Sequence, residues 1–224
     1  KIGRDRVIWR YDPVLFTDRY TPQYHLDMFR RMASALNGYT GRCVISFADT
    51  YGKTKKSMEA MRVYELSDAG LMDFSGKISE IARANGMTVG SCAERIDLSE
   101  CGIEHNCCID KKVIEDIMGC RIKVEKDKNQ QPECGCVESV EIGTYNTCKN
   151  GCRYCYANYS QESVLRSQDR YDPFSPILCG SLTEEDRISQ RKVKSLREGQ
   201  LRLTEWFCII LFAVFFSISV IFSP

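Results

Sequence analysis

Cys148, Cys152 and Cys155 stand at C-x3-C-x2-C spacing and are the residues of this chain best suited to do chemistry. Three thiolates this close together suit three irons of a [4Fe–4S] cluster, whereas a closed cluster takes four cysteines. The fourth iron is then open to a small-molecule ligand. S-adenosylmethionine (SAM) at that position would receive an electron and start radical chemistry. Gly151 permits a tight turn between the first two ligands, with backbone N–H groups aimed at cluster sulfurs. The same spacing also suits a zinc knuckle, with Cys134 or Cys136 as the fourth donor.

A second candidate metal site lies upstream. Cys134 and Cys136 form a C-x-C pair, and Cys92 with Cys108 (or Cys107) would complete a four-thiolate set for zinc or an auxiliary Fe–S cluster. The bland alternative is a group of small buried thiols. Cys101, Cys120 and Cys208 have no partner motif, and Cys43 and Cys179 lie in apolar runs that read as core. His105 lies near Cys107 and Cys108 but at no standard finger spacing, and His25 reads as a surface or packing residue of a helix.

The elements that must position these residues alternate. Val7–Tyr11, Cys43–Phe47 and Met87–Ser91 read as short strands. Between them lie two helical stripes. The first opens on Thr21-Pro22, a cap followed by proline at the first helical position, and carries Leu26, Phe29, Met32 and Leu36. The second, Asp73–Ala84, carries Phe74, Ile78 and Ile81 and stops at Asn85-Gly86. Such alternation implies βα units on a parallel sheet. Polar residues then fall at or just after the strand ends: Arg10, Tyr11 and Asp12 after the first, Asp49 after the second, Glu94 after the third. In a (β/α) barrel that end faces the active site, so Arg10, Asp12 and Glu94 are candidate catalytic residues and Asp49 a candidate cofactor contact. The competing role for each is a helix cap or a rim ion pair. Asp110–Met118 reads as a short helix, Lys126–Gln131 as an exposed loop, and Thr183 to about Leu201 as a charged helix. The Trp9 and Tyr11 pair reads as strand packing.

Several segments carry a resemblance to a known family. Arg6-Val-Ile-Trp-Arg-Tyr-Asp-Pro13, Cys134-Gly-Cys-Val-Glu-Ser139, Gly143-Thr-Tyr-Asn-Thr-Cys148 and Tyr154-Cys-Tyr-Ala-Asn158 resemble the DUF1848 proteins, a bacterial family without a settled activity. The resemblance runs from about Arg4 to about Leu201. It implies a cysteine cluster akin to that of radical SAM enzymes, and hence a partial (β/α) barrel, radical-SAM/TIM-like, with a C-terminal cysteine-rich segment. It also implies that Tyr154, just before the last cysteine, packs near the adenine of SAM. In the radical SAM superfamily the cluster motif usually follows the first barrel strand. Here it follows the last recognisable βα unit. An electron donor such as ferredoxin or flavodoxin is the partner implied, acting with an unknown substrate.

The expected organisation is 1–125 as the second half of a barrel, 126–203 as the cluster-binding segment and 204–224 as a hydrophobic tail. The opening of the chain almost on a strand suggests that earlier barrel strands are missing. The run Trp206–Phe222 is near the short end of what crosses a bilayer and follows basic residues, so it is a candidate C-terminal anchor, or else a buried helix or appended sequence. Thirteen cysteines is an odd count without a leader-like run, which fits metal or redox chemistry in a reducing cytoplasm better than a disulfide framework. Lys+Arg of 31 against Asp+Glu of 30 argues against a general nucleic-acid binder. The functions in competition are therefore a SAM-cleaving iron–sulfur enzyme, a non-enzymatic zinc or Fe–S protein, and, by fold analogy alone, a DNA-repair lyase.

Overall fold

The computed structural model describes residues 2–50 and 52–198. They form a mixed α/β fold on a four-stranded, all-parallel sheet. The strands are β1 (Ile8–Val14), β2 (Arg42–Phe47), β3 (Thr88–Cys92) and β4 (Glu104–Asn106), ordered β1-β2-β3-β4. Helix α1 (Pro22–Leu36) follows β1. Helices α2 (Lys55–Ala60) and α3 (Asp68–Ala84) follow β2. After β4 come α4 (Lys111–Met118) and α5 (Gln161–Asp169).

Each long helix has a local start and one buried stripe. Thr21 caps α1, its side chain accepting from the Tyr24 N–H, and Pro22 lacks the N–H that a first turn would leave unpaired. Leu26, Phe29 and Ala33 then point inward at i, i+3 and i+7. Ser67 caps α3 through the Gly70 N–H, so the helix begins five residues before the expected Asp73. Its buried residues Phe74, Ile78 and Ala82 repeat every fourth position.

Side chains alternate across a strand, so each strand divides its residues between two faces. Trp9, Cys43, Ile45 and Val89 share one buried cluster with the inward stripes of α1 and α3. The in-register partners Arg10, Val44 and Gly90 therefore lie on the other face. Pairing of β1 with β2 slips between Tyr11 and Val14, which brings Val14 back into the core. His25 is a packing residue rather than a surface one. Its Nε2–H donates to the Leu15 carbonyl (2.9 Å), leaving Nδ1 to accept from the Tyr11 hydroxyl (2.8 Å). Tyr11 thus faces the helices and not the far side. Burial pushes the Tyr11 hydroxyl pKa up to about 12 and holds that of His25 below its ordinary value.

One expectation is corrected and two are refined. The stretch from Thr183 is not helical among the described residues: it is charged all round, with no apolar stripe to dock, and isolated helices of that kind are marginal in water. Near its end, Lys123 donates to the Leu196 carbonyl and Glu198 to the Arg121 carbonyl, an extended pairing. The Lys126–Gln131 stretch is an exposed loop, as expected, except at Asp127, which is buried and whose N–H donates to the Cys136 carbonyl. Cys120, which has no partner motif in the sequence, accepts from Arg197 Nε (3.3 Å).

Residues up to Asp110 together with Lys126–Arg191 make one compact unit, and Lys111–Glu125 with the described residues from Lys192 make another. All candidate site residues belong to the first. Among the described residues no helix is long and apolar enough to cross a membrane. The candidate anchor Trp206–Phe222 lies outside the described residues, as does Cys208.

Candidate functional site

The C-terminal ends of β1, β2 and β3 open onto a cavity of about 750 Å³. Its walls come from the residues just past those ends: Phe16 after β1, Ala48, Asp49 and Thr50 after β2, Glu94 and Arg95 after β3. Parallel sheets expose their ligand crevices at this end because connecting loops gather there while the strands stay rigid. Tyr64, Leu66 and Pro132 add apolar surface from farther along the chain. The size suits a small molecule with a cofactor-sized fragment.

Asp49 and Glu94, both singled out from sequence, line this cavity. Glu94 Oε1 accepts from the Phe47 N–H (2.7 Å), which fixes its carboxylate against the end of β2. Burial raises its pKa to about 7, the Phe47 hydrogen bond opposes the shift, and Asp49 adds to it. Ala93, just before Glu94, has φ +54°, a left-handed conformation that costs a non-glycine residue about 1–2 kcal/mol. That twist re-aims the chain between Cys92 and Glu94, so the two point to different surroundings.

The Cys148–Cys155 loop docks beside the cavity. Its base is closed by the Asn146 N–H to the Ala157 carbonyl (3.0 Å) and by the Tyr159 N–H to Asn146 Oδ1 (2.7 Å). Asn146 is itself left-handed, and Asn158 Nδ2 donates to the Cys148 carbonyl (2.7 Å). Two contacts then tie the loop to the segment after β2. The Tyr154 hydroxyl donates to the Asp49 carbonyl (3.0 Å). Lys53 Nζ lies 3.7 Å from the Tyr159 ring centroid and donates to the Tyr156 carbonyl. Cys148 and Cys152 are exposed, Cys155 is half-buried, and all three are free thiols. Gly151 has φ +63°, the turn that the spacing called for. In number, type and loop closure the donors fit a three-thiolate cluster. Among the described residues, though, no three His, Cys, Asp or Glu side chains already surround one point as ligands would.

Arg10 and Asp12 turn elsewhere. They line not this cavity but the face of the sheet away from α1 and α3, where Arg10 Nε donates to Asp12 Oδ1 (3.1 Å) and Nη2 forms an ion pair with Oδ2. Arg10 Nη1 donates to Cys108 Sγ (2.6 Å), and Cys108 Sγ lies 2.9 Å from Cys92 Sγ. Cys136 lies near Cys108, and Cys134 near Cys136. Of the second candidate site, Cys92 at the end of β3 and Cys108 in the turn after β4 are thus in contact, and Cys134 and Cys136 are buried in one extended segment nearby, but no three of the four converge on one point. The hydrogen bond from Cys92, reinforced by Arg10, lowers the Cys108 pKa to about 5, and the same proton-sharing with burial pushes Cys92 up. Burial raises Cys136 to about 11. Burial works against the charge of Arg10, yet its bonds to Asp12 and Cys108 hold its pKa above the ordinary value.

Sequence reasoning missed Lys53, which sits in a polar loop with no motif around it, and the apolar wall at Phe16 and Tyr64, which meet through an isolated antiparallel bridge. By sequence, Cys107 and Cys108 are alternatives for one ligand position. The structure pairs Cys108 with Cys92, and packs Cys107 so closely on Gly135 that a Cβ there would lie 2.5 Å from its sulfur.

The family model described as "Domain of unknown function (DUF1848)" matches residues 1–157, more than half of the chain. The chain belongs to the DUF1848 family. The match runs from β1 through Cys155, so the strand-end cavity, the docked loop and the second cysteine group all fall within the DUF1848 region. No curated protein and no solved structure matches this DUF1848 chain significantly.

Proposed function

We propose that this DUF1848 protein is an iron–sulfur enzyme of radical-SAM-like type. Its parallel sheet is read as a barrel segment with the active site at the strand C-termini. The observation that carries the reading is the Tyr154–Asp49 hydrogen bond, which docks the three-cysteine loop at the rim of the strand-end cavity.

Cys148, Cys152 and Cys155 would hold a [4Fe–4S] cluster, which when bound supplies the electron that cleaves SAM reductively and initiates radical chemistry on a substrate. The chain's own residues do the rest. Tyr154 positions the loop and offers its ring beside the cavity for the adenine. Asp49 and Glu94 present two carboxyl groups to the polar end of a bound ligand, with Glu94 fixed by the Phe47 N–H. Phe16, Tyr64 and Leu66 give the cavity an apolar wall for a ligand to pack against. The winding supports a barrel segment: α1 and α3 pack on one face while strand order rises steadily, whereas a doubly wound sheet reverses. A low-potential donor such as ferredoxin or flavodoxin is the matching partner.

The test is anaerobic reconstitution of the full chain, with EPR of the reduced form with and without SAM. About four irons per chain and a SAM-dependent change in the spectrum are expected. Cys152→Ala should lose that signal. Full iron content in that variant, or a spectrum indifferent to SAM, would overturn the reading.

A further inference from the structure

Apart from the docked loop, the second cysteine group has a chemistry of its own. Cys92 Sγ and Cys108 Sγ lie 2.9 Å apart, with Cys136 and Cys134 as near neighbours, although as they stand no three of these thiols converge on one point. Cys134 and Cys136 are almost fully buried, in a segment where few apolar side chains are available to hold it down. Two N–H donors reach these sulfurs, and two further features lie beside them. The Ile109 N–H donates to Cys136 Sγ (3.3 Å). Arg10, oriented by Asp12, donates to Cys108 Sγ. Asn106, the register partner of Cys92 on β4, has a buried Nδ2 without an acceptor among the described residues. Gly135 lets the Cys134–Cys136 backbone come against Cys107, where any Cβ would collide.

A plain thiol cluster leaves this unexplained, since burying several thiols requires neither a guanidinium nor aimed N–H donors. A tetrathiolate metal centre accounts for it. Four thiolates on a divalent ion carry a net charge of −2, which Arg10 and N–H donors on the sulfurs offset. We infer that Cys92, Cys108, Cys134 and Cys136 bind one zinc ion as a closed structural site, separate from the Cys148–Cys155 loop.

In a tetrahedral zinc–thiolate site the sulfurs lie about 3.8 Å apart, given bonds of about 2.3 Å. The Cys92–Cys108 separation of 2.9 Å therefore has to widen on binding, by rotations about the Cα–Cβ bonds. Zinc replaces the thiol protons, which leave to solvent. With four protein ligands there is no open position, so the site staples the 126–137 segment to the sheet and does no catalysis.

The test uses the full chain with Cys148→Ala, Cys152→Ala and Cys155→Ala, so that the other candidate site cannot contribute metal. Anaerobically purified protein should hold about one zinc per chain, and cobalt(II) in its place should give intense tetrahedral d–d bands with sulfur-to-cobalt charge transfer. Cys136→Ser in that background should lose the tetrathiolate spectrum, and Cys101→Ser should keep it. Folding is monitored separately by circular dichroism of the wild-type chain before and after chelation, where loss of zinc should lower the melting temperature. Chain that binds neither zinc nor cobalt through thiolates overturns the inference, as does a Cys92–Cys108 disulfide in freshly isolated protein or an iron–sulfur chromophore in the triple variant. Failure here leaves the SAM reading untouched, because the two experiments address different cysteines.

Discussion

The two faces of the sheet are built from the same strands but on different rules. Toward α1 and α3, Trp9, Ile45 and Val89 meet Phe29, Phe74 and Ile78, and nearly every contact is apolar. Away from the helices, the same strands present Arg10, Asp12, Ser46 and Cys92. The first face is held by burial, which is non-directional and tolerates modest repacking. The second is held by directed polar and sulfur contacts, each requiring a particular partner. One face makes the domain fold, and the other carries what distinguishes it chemically.

That contrast can be broken first from the apolar side. Phe29→Ala removes a fully buried ring that stacks on Trp9 at 4.7 Å, and should cost about 3–5 kcal/mol in urea unfolding. A cost under about 1 kcal/mol would deny that this face organises the fold. On the polar side, Arg10→Met keeps the length but removes the donor to Cys108 and leaves Asp12 without its bidentate partner. A loss of about 1–3 kcal/mol is expected, and Arg10→Lys should recover only part of it because a lysine lacks the fork. Equal stability of the lysine and native proteins would argue that the face is not geometrically specific.

The junction between the regions offers a smaller effect. Tyr154→Phe deletes only the hydroxyl that reaches the Asp49 carbonyl. About 1 kcal/mol of stability is expected to go, with faster proteolysis within the 146–159 loop. Unchanged proteolysis would mean the loop is held mainly by Lys53.

His25 supplies the pH dependence of the apolar face. Its folded pKa is depressed by burial among aromatic rings, so its contribution is present above the unfolded value of 6.5 and is lost as pH falls through the folded pKa. Stability should therefore decline below about pH 6.5, and His25→Gln should flatten that decline while lowering stability at neutral pH. Titrations of denaturation midpoint against pH for the two proteins decide it. The smallest change is Ala93→Gly. Relief of a left-handed alanine should offset the added chain entropy, leaving stability unchanged or raised by up to about 1 kcal/mol.

Much was legible without coordinates. Thr21-Pro22 and the Leu26–Phe29 stripe marked α1, and the three apolar runs marked β1 to β3, because caps and periodicity are local signals. β4 was not legible: Glu104–Asn106 is short and polar, and only pairing with β3 makes it a strand. Likewise α5 buries only Val164, so its stripe was too faint to read.

By itself the sequence determined the donors: which thiols exist, their spacing, and the turn that Gly151 permits. Tertiary structure alone decided their company. It turned Arg10 and Asp12 toward Cys108 instead of the cavity, set Tyr154 against Asp49, and drew Cys92, Cys108, Cys134 and Cys136 toward one another from segments spread over more than forty residues of chain. The physical reason is range. Coordination chemistry and turn preference are properties of a residue and its near neighbours, whereas which side chains meet depends on strand register and face, and these are fixed only when the whole sheet assembles.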